Sequence, residues 1–421
     1  MKVEHNDASG KLESLPDESL KQKSQFDVVI VGAGLVGQAI AVALAAEPSL
    51  RIALIDPAQI SAPAPVSQLT DYDLRVSALT AKSQSFLTQL GVWQYLPESV
   101  LSPYTSMHVW DGEGTGSVTF NAAELHVPAL GHIVENRQTL WALQQSVDAT
   151  SNIQYFATTV SSIDNPDAKG WLPVVLASGQ TLQTRLLVGA DGALSKMRQW
   201  AGIATSEWDY EQHAIVATVR CEKSMQKTAW QRFRAQGPLA FLPLHSDSHL
   251  ASIVWSTSPE ESSELMALDD ASFSQALTRA FEAHLGEIVE VSERQCVPLR
   301  QRHVRQYYCN GVVLAGDAAH TIHPLAGQGV NLGFKDAQVL AEEILRAVTK
   351  GLSPGSDLVL ARYQRRRQAD NLATMAAMEG FKRLFGSEQP LVRLIRNEGL
   401  RLFDRMLPLK QHVVMKAMGL D

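Results

Sequence analysis

A β-rich run at residues 26–31 leads straight into Gly32-Ala-Gly34-Leu-Val-Gly37. An Ala/Leu-rich stretch then continues to residue 46, and a second apolar run at 51–55 ends on Asp56. Strand, glycine turn, helix and strand in this order form a βαβ unit, which demands a parallel sheet with helices packed on it. Each glycine has its own task. The first makes the turn, the second lets a pyrophosphate approach the backbone, and the third permits close packing of helix on strand. Asp56 stands where an acid can hold a ribose hydroxyl pair. The unit predicts a dinucleotide site without separating FAD from NAD. Residues 28–46 are long enough to span a bilayer, but the glycine spacing and the strand that follows favour the βαβ reading.

A second landmark runs from 311 to 333, GVVLAGDAAHTIHPLAGQGVNLG. Val312, Val313 and Leu314 read as a buried parallel strand ended by Gly316-Asp317, whose carboxylate would reach a crevice and accept from sugar or polyol hydroxyls. His320, His323 and Pro324 follow. Next come Gly327-Gln328-Gly329, where missing β-carbons let backbone amides approach a planar ligand, and a helix predicted to begin near Asn331. A third landmark echoes the second, with a strand from Arg185, apolar over 186–190, ending at Asp191-Gly192 and Ser195-Lys-Met-Arg198 opening a helix. Arg75, in Asp73-Leu-Arg75, is a candidate to face the cofactor. Arg137, ahead of a predicted helix over 138–147, is another, although alone it also fits a surface salt bridge.

Between these landmarks the texture changes. Short strands are expected at 107–110 and 117–120, joined by a Gly-rich hairpin turn at 112–116. Further strands are expected at 214–219, 239–244 and 250–255, with one helix at 270–285. The reading is an α/β Rossmann-like domain (26–105, 131–202 and 301–350) with an inserted β-sheet substrate part of α+β character (106–130 and 203–300). C-terminal helices (351–421) follow, and a disordered leader without an apolar run (1–25) precedes. The net charge of -7 and pI near 6.0 argue against a nucleic-acid binder. The tail is the basic end, with 12 Lys+Arg against 6 Asp+Glu from residue 362 onward and 25 against 38 in the rest. Cys221, Cys296 and Cys309 lack metal-type spacing and cannot all pair, as expected in a reducing cytoplasm.

With its three landmarks in this order, the chain resembles, over residues 26–420, the single-component flavoprotein aromatic hydroxylases of the para-hydroxybenzoate hydroxylase fold. The strings GHIVENR, AFLPL, SIVWSTSPEE, GDAAHTIHPLAGQGVNLGF and the C-terminal AMGL are most similar to the bacterial ubiquinone-biosynthesis hydroxylases. Among these, the members acting on 2-polyprenylphenol come first and those acting on demethoxyubiquinol second. The resemblance implies FAD as cofactor, NAD(P)H as transient reductant and ring hydroxylation of a polyprenylated phenol through a flavin C4a-hydroperoxide. By position, Gly32, Gly34 and Gly37 would line the FAD pyrophosphate and Asp56 the adenosine ribose. Arg75 and Arg137 would approach the cofactor, and Asp191 would serve FAD and NAD(P)H. Asp317 would contact the ribitol and pyrophosphate region, while Pro324, Gly327, Gln328, Gly329 and Asn331 would border the flavin ring.

No residue matches the phenol-binding groups of the founding enzyme, so no catalytic base is assigned. For His320 and His323 a structural hydrogen bond is the stronger reading. A flavin halogenase is disfavoured, because no two of the eight Trp residues are two apart as its W-x-W-x-I-P motif requires. A non-catalytic flavin-binding subunit is the alternative from another class. The expected location is cytoplasmic with peripheral contact at the inner membrane face, and a biosynthetic complex and a homo-oligomer are open partnerships. Leu391, Leu394, Ile395, Leu402, Phe403 and Met406 recur at helical spacing among Arg393, Arg396, Arg401 and Arg405. That amphipathic basic helix either packs on the FAD domain with solvated arginines, docks a partner, or meets anionic lipid.

Overall fold

The structure is a computed structural model and describes residues 24–321, 329–386 and 389–418. Residues 1–23 of the expected leader, and His323, Pro324, Gly327 and Gln328, lie outside the described residues.

Five parallel strands form the centre of the first sheet, in the order Val312–Leu314, Thr181–Gly189, Gln25–Val31, Ile52–Ile55, Ile153–Phe156. Leu314, Gly189, Val31, Ile55 and Phe156 are register partners in turn, so all five strands end level. That common edge carries all three landmarks, as parallel packing of crossover units requires. Every residue of Ile52–Ile55 and Val312–Leu314 is buried, which is why these runs are continuously apolar rather than alternating. The helix Leu35–Leu44 covers one face and packs against the helices Asn136–Asp148 and Gly329–Thr349.

The second sheet draws on strands from Ser106–Asp111 to His320–Thr321 and is antiparallel except where Thr228–Arg234 lies parallel to Ser106–Asp111. One face buries Ile215, Phe241, Ile253 and Trp255 against Phe273, Leu277 and Phe281. Two helices stand where one was expected, Pro259–Ala267 and Asp270–Ala280. Asp269 starts the second by accepting from the Ser272 N–H at 2.7 Å. The strand expected at 214–219 extends over Thr205–Cys221. Its first half carries Glu207, Trp208 and Asp209, exposed polar and aromatic residues that hid it, yet it pairs with Gln295–Val304 along its length. A small antiparallel sheet, Val76–Thr80, Gly131–Glu135 and Ser102–Tyr104, completes the layers. Mixed α/β architecture, inserted sheet and C-terminal helices are as expected.

The tail helix packs on the rest of the chain, but not all of its arginines are left solvated as that alternative expected. The helix Pro390–Arg405 lies on the hairpin Ser106–Asp111/Ser117–Asn121, and its arginines are largely engaged. Arg396 is buried, pairs bidentately with Asp111 at 2.7 and 2.8 Å, and donates to the carbonyls of Leu384 and Phe385. Arg393 faces Glu113 at 3.7 Å, and Arg401 bonds Glu398 and Thr115. Arg405 alone of the four lacks an ion-pair partner among the described residues. The turn glycines accept this helix closely. The Gly116 N–H donates to Asn397 Oδ1 at 2.5 Å, and a β-carbon on Gly114 would overlap the Asn397 amide.

Candidate functional site

The three glycines of the first turn meet three different environments. Gly32 has φ +103°, which favours glycine, and a β-carbon there would overlap the Ala190 carbonyl. A β-carbon on Gly37 would overlap the carbonyl oxygen of Gly32. Gly34 has an ordinary extended backbone, φ -71° and ψ -175°, and a β-carbon there would meet nothing within 4 Å. The open space therefore lies before Gly34, at the start of a helix with no side-chain cap and no acid in its first turn. Uncapped amides and the positive end of the helix dipole suit an anion, and a pyrophosphate fits there.

Asp56 flanks that space. Its carboxylate accepts from the N–H groups of Ala33 and Ala58, each at 2.8 Å, and stays half-exposed, so lone pairs remain for sugar hydroxyls. Asp191 is committed differently. Ser195 Oγ, Lys196 N and Met197 N donate to it at 2.5, 2.7 and 3.1 Å, so it caps the start of the next helix and fixes the turn before it.

The Gly316-Asp317 turn touches the first glycine turn directly. β-Carbons on Gly316 and Gly333 would both press on Val36, which lies inside the first motif. Gly316 has φ +60°, and its N–H donates at 2.9 Å to Asp336. Asp317 is solvent-exposed, yet surrounding protein raises its pKa above the ordinary carboxylate value, with His320 and Arg75 pulling the other way. Exposure together with that desolvation is expected of a group lining a cleft. His320 is buried, and its Nε2 donates to Asp336 at 2.6 Å, a structural bond as expected. Asn331 is tied to the small sheet. Its Oδ1 accepts from Thr80 N and Ser83 Oγ, and its Nδ2 donates to the Ala78 carbonyl. Gly329 begins its helix in open space, where a β-carbon would meet nothing within 4 Å.

Arg75 is exposed near Asp317, with no hydrogen-bond partner for its guanidinium among the described residues. Arg137 donates to the Asp71 carbonyl at 2.6 Å and pairs with buried Glu135 at 2.7 Å. Sequence reasoning passed over Glu135. It also accepts from Asp73 N at 2.7 Å and lies 3.4 Å from His245 Nε2, which belongs to the turn after the Gly237–Pro243 strand. Burial opposes its ionisation, but His245, the Asp73 N–H and Arg137 together hold its pKa below the ordinary value. Tyr72 adds a ring contact to His245 and a hydrogen bond to Ser246. A buried acid inside the string ENR reads in sequence as a helix start, so nothing local marked it.

The model of the FAD binding domain family matches residues 25–377. The fold is shared with p-nitrophenol 4-monooxygenase PnpA from Pseudomonas putida DLL-E4, with a TM-score of 0.74 at 18% identity, covering 93% of this chain and 98% of that one. These findings define a FAD-binding protein with the para-hydroxybenzoate hydroxylase fold. Among curated proteins, the chain is 37% identical over 396 residues to the 3-demethoxyubiquinol 3-hydroxylase of Escherichia coli (strain K12), covering 94% of this chain and 98% of the relative. It is 36% identical over 435 residues to the mitochondrial ubiquinone biosynthesis monooxygenase COQ6 of Xenopus tropicalis, covering 93% of each. The chain belongs to the FAD binding domain family, in its branch of ubiquinone-biosynthesis hydroxylases, and is a monooxygenase acting on an aromatic ring.

Proposed function

We propose that the enzyme hydroxylates a polyprenylated phenol on the route to ubiquinone, with NAD(P)H as transient reductant and O2 as oxygen donor. One observation carries the placement of the chemistry. The passage from Val312 to Thr321 contributes Val312–Leu314 to the parallel sheet and His320–Thr321 to the second sheet, so the two sheets meet there, which supports reading it as the junction of cofactor and substrate. The division proposed is a cofactor domain of 26–105, 131–202 and 301–350 and a substrate part of 106–130 and 203–300.

FAD, when bound, would supply the redox and oxygen-transfer chemistry, with NAD(P)H as reductant and O2 as the source of the ring oxygen. The chain's residues hold and shield it. The uncapped helix-start amides from Gly34 onward would receive the pyrophosphate, Asp56 the adenosine ribose and Asp317 the ribitol side. Arg75, whose guanidinium has no hydrogen-bond partner among the described residues, would offer a cation to the phosphates or the reductant, and Arg137, Asp191 and Asn331 fix the turns around them. By the family resemblance, Pro324, Gly327, Gln328 and Gly329 would border the flavin ring. Leu242, Leu250 and Ala229, packed with Tyr72, Tyr104 and Ile133, give a dry apolar seam between the sheets.

The 37% identity to the Escherichia coli enzyme favours a second reading, demethoxyubiquinol as substrate. Mass spectrometry of quinone intermediates in a deletion strain separates the two. Accumulated polyprenylphenol supports the first, accumulated demethoxyubiquinone the second, and an unchanged quinone profile refutes both.

Among the described residues no helix is long and apolar enough to cross a membrane. A polyprenyl substrate is then met at a membrane surface or handed over by a partner. Exposed Leu402, Met406, Leu407, Leu409 and Val413 on the last two helices support the surface route.

A further inference from the structure

We propose that Arg367, on the remote helix Asp357–Gly386, and its partner Asp336 are positioning residues that set the Gly316-Asp317 turn for cofactor binding. The inference rests on the reading of Asp317 as a ribitol-side contact.

Asp336 lies on the buried face of the helix Gly329–Thr349. Its Oδ2 takes the N–H of Gly316 at 2.9 Å and Nε2 of His320 at 2.6 Å, so one oxygen holds both ends of the segment that contains Asp317. Its Oδ1 takes Nε of Arg367 at 2.7 Å, and both side chains of this pair are fully buried. Burial opposes ionisation of Asp336, but His320 and Arg367 outweigh it and bring its pKa to about 2. The carboxylate therefore stays charged, and a charged acceptor grips N–H donors about twice as strongly as a neutral one.

Arg367 is itself fixed. Its Nη1 donates to Asp370 at 2.8 Å and its Nη2 to Asn371 at 2.7 Å, and Asn371 donates to the Tyr307 hydroxyl at 3.0 Å. On the same helix, the Tyr363 hydroxyl donates to the carbonyl of Leu314 at 3.0 Å, the last residue of the strand before the turn. The remote helix thus grips the strand end through Tyr363 and the turn through Asp336. A buried ion pair adds little net stability against an apolar replacement, so its placement behind this turn is better explained by geometry than by stability.

The test uses the full-length holoenzyme, with FAD affinity, the visible absorption of bound FAD and apoprotein thermal stability measured together. Arg367→Met should weaken FAD binding about tenfold or more and change the bound-flavin absorption. Arg367→Lys, which keeps the charge but not the fork, should recover most of the affinity. Asp336→Asn/Arg367→Met, with both buried charges removed, guards against simple misfolding. It should regain apoprotein stability while FAD affinity stays low. Wild-type affinity and absorption in a folded Arg367→Met or double variant would overturn the proposal. Asp317→Ala is the separate control: wild-type affinity in that variant sinks the reading of Asp317, whereas impaired Asp317→Ala beside normal Arg367→Met sinks only the clamp.

Discussion

Replacing the glycines of the first turn one at a time should separate folding from cofactor binding. At Gly34 the backbone is one any residue adopts, and nothing lies within 4 Å of an added β-carbon. Reduced unfolded-state entropy favours the substitution by about 0.4–1 kcal/mol, and loss of a good helix-start residue costs a comparable amount. The apoprotein of Gly34→Val should therefore keep its melting temperature. Its side chain would fill the space assigned to the pyrophosphate and displace at least one N–H bond to a charged oxygen, worth roughly 1.5–3 kcal/mol, or about 10- to 150-fold in affinity. Gly37→Ala should instead fail to fold stably, because its β-carbon would overlap the Gly32 carbonyl. Fluorescence titration of apoprotein with FAD, beside thermal melts, reads both effects. Near-normal FAD affinity in a well-folded Gly34→Val protein would refute the placement of the pyrophosphate.

Asp317→Ala should lower FAD affinity about tenfold or more. Because enclosure raises the Asp317 pKa, wild-type affinity should fall with pH sooner than an ordinary carboxylate allows, and Asp317→Asn should flatten that dependence. The apoprotein has the opposite sign, since a raised folded pKa adds stability as pH falls and loses it as pH rises through that value. Asp111→Ala would leave Arg396 buried and unpaired, at a cost of about 3–5 kcal/mol, and denaturant unfolding should report a loss of that order. Flotation with phospholipid vesicles should be reduced by Leu409→Ser/Val413→Ser at unchanged FAD content, and wild-type protein that never floats would exclude the surface route.

The edge of the parallel sheet that carries the glycine turns was readable in the sequence because its signals are local. Gly32, Gly34, Gly37 and Asp56 lie within one βαβ unit, and Gly316-Asp317 closes a strand of three buried residues. The elements that fix that edge were not readable, because their partners are distant in the chain. Asp336 and Arg367 lie on separate helices, and Arg367 stands in the run Arg365-Arg366-Arg367, which has the look of a solvated face. Arg396 sits on the polar side of an amphipathic pattern, yet it meets Asp111 from 285 residues away. Helical periodicity separates apolar from polar positions and says nothing about which polar positions find a buried partner.

Incubating the purified holoenzyme with a short-chain prenylphenol, NAD(P)H and heavy-isotope O2 tests the account most directly. The expected result is FAD as the released cofactor, substrate-stimulated NAD(P)H oxidation, and a hydroxylated ring carrying one heavy oxygen atom. NAD(P)H oxidation without ring hydroxylation, or a product oxygen drawn from water, would contradict it.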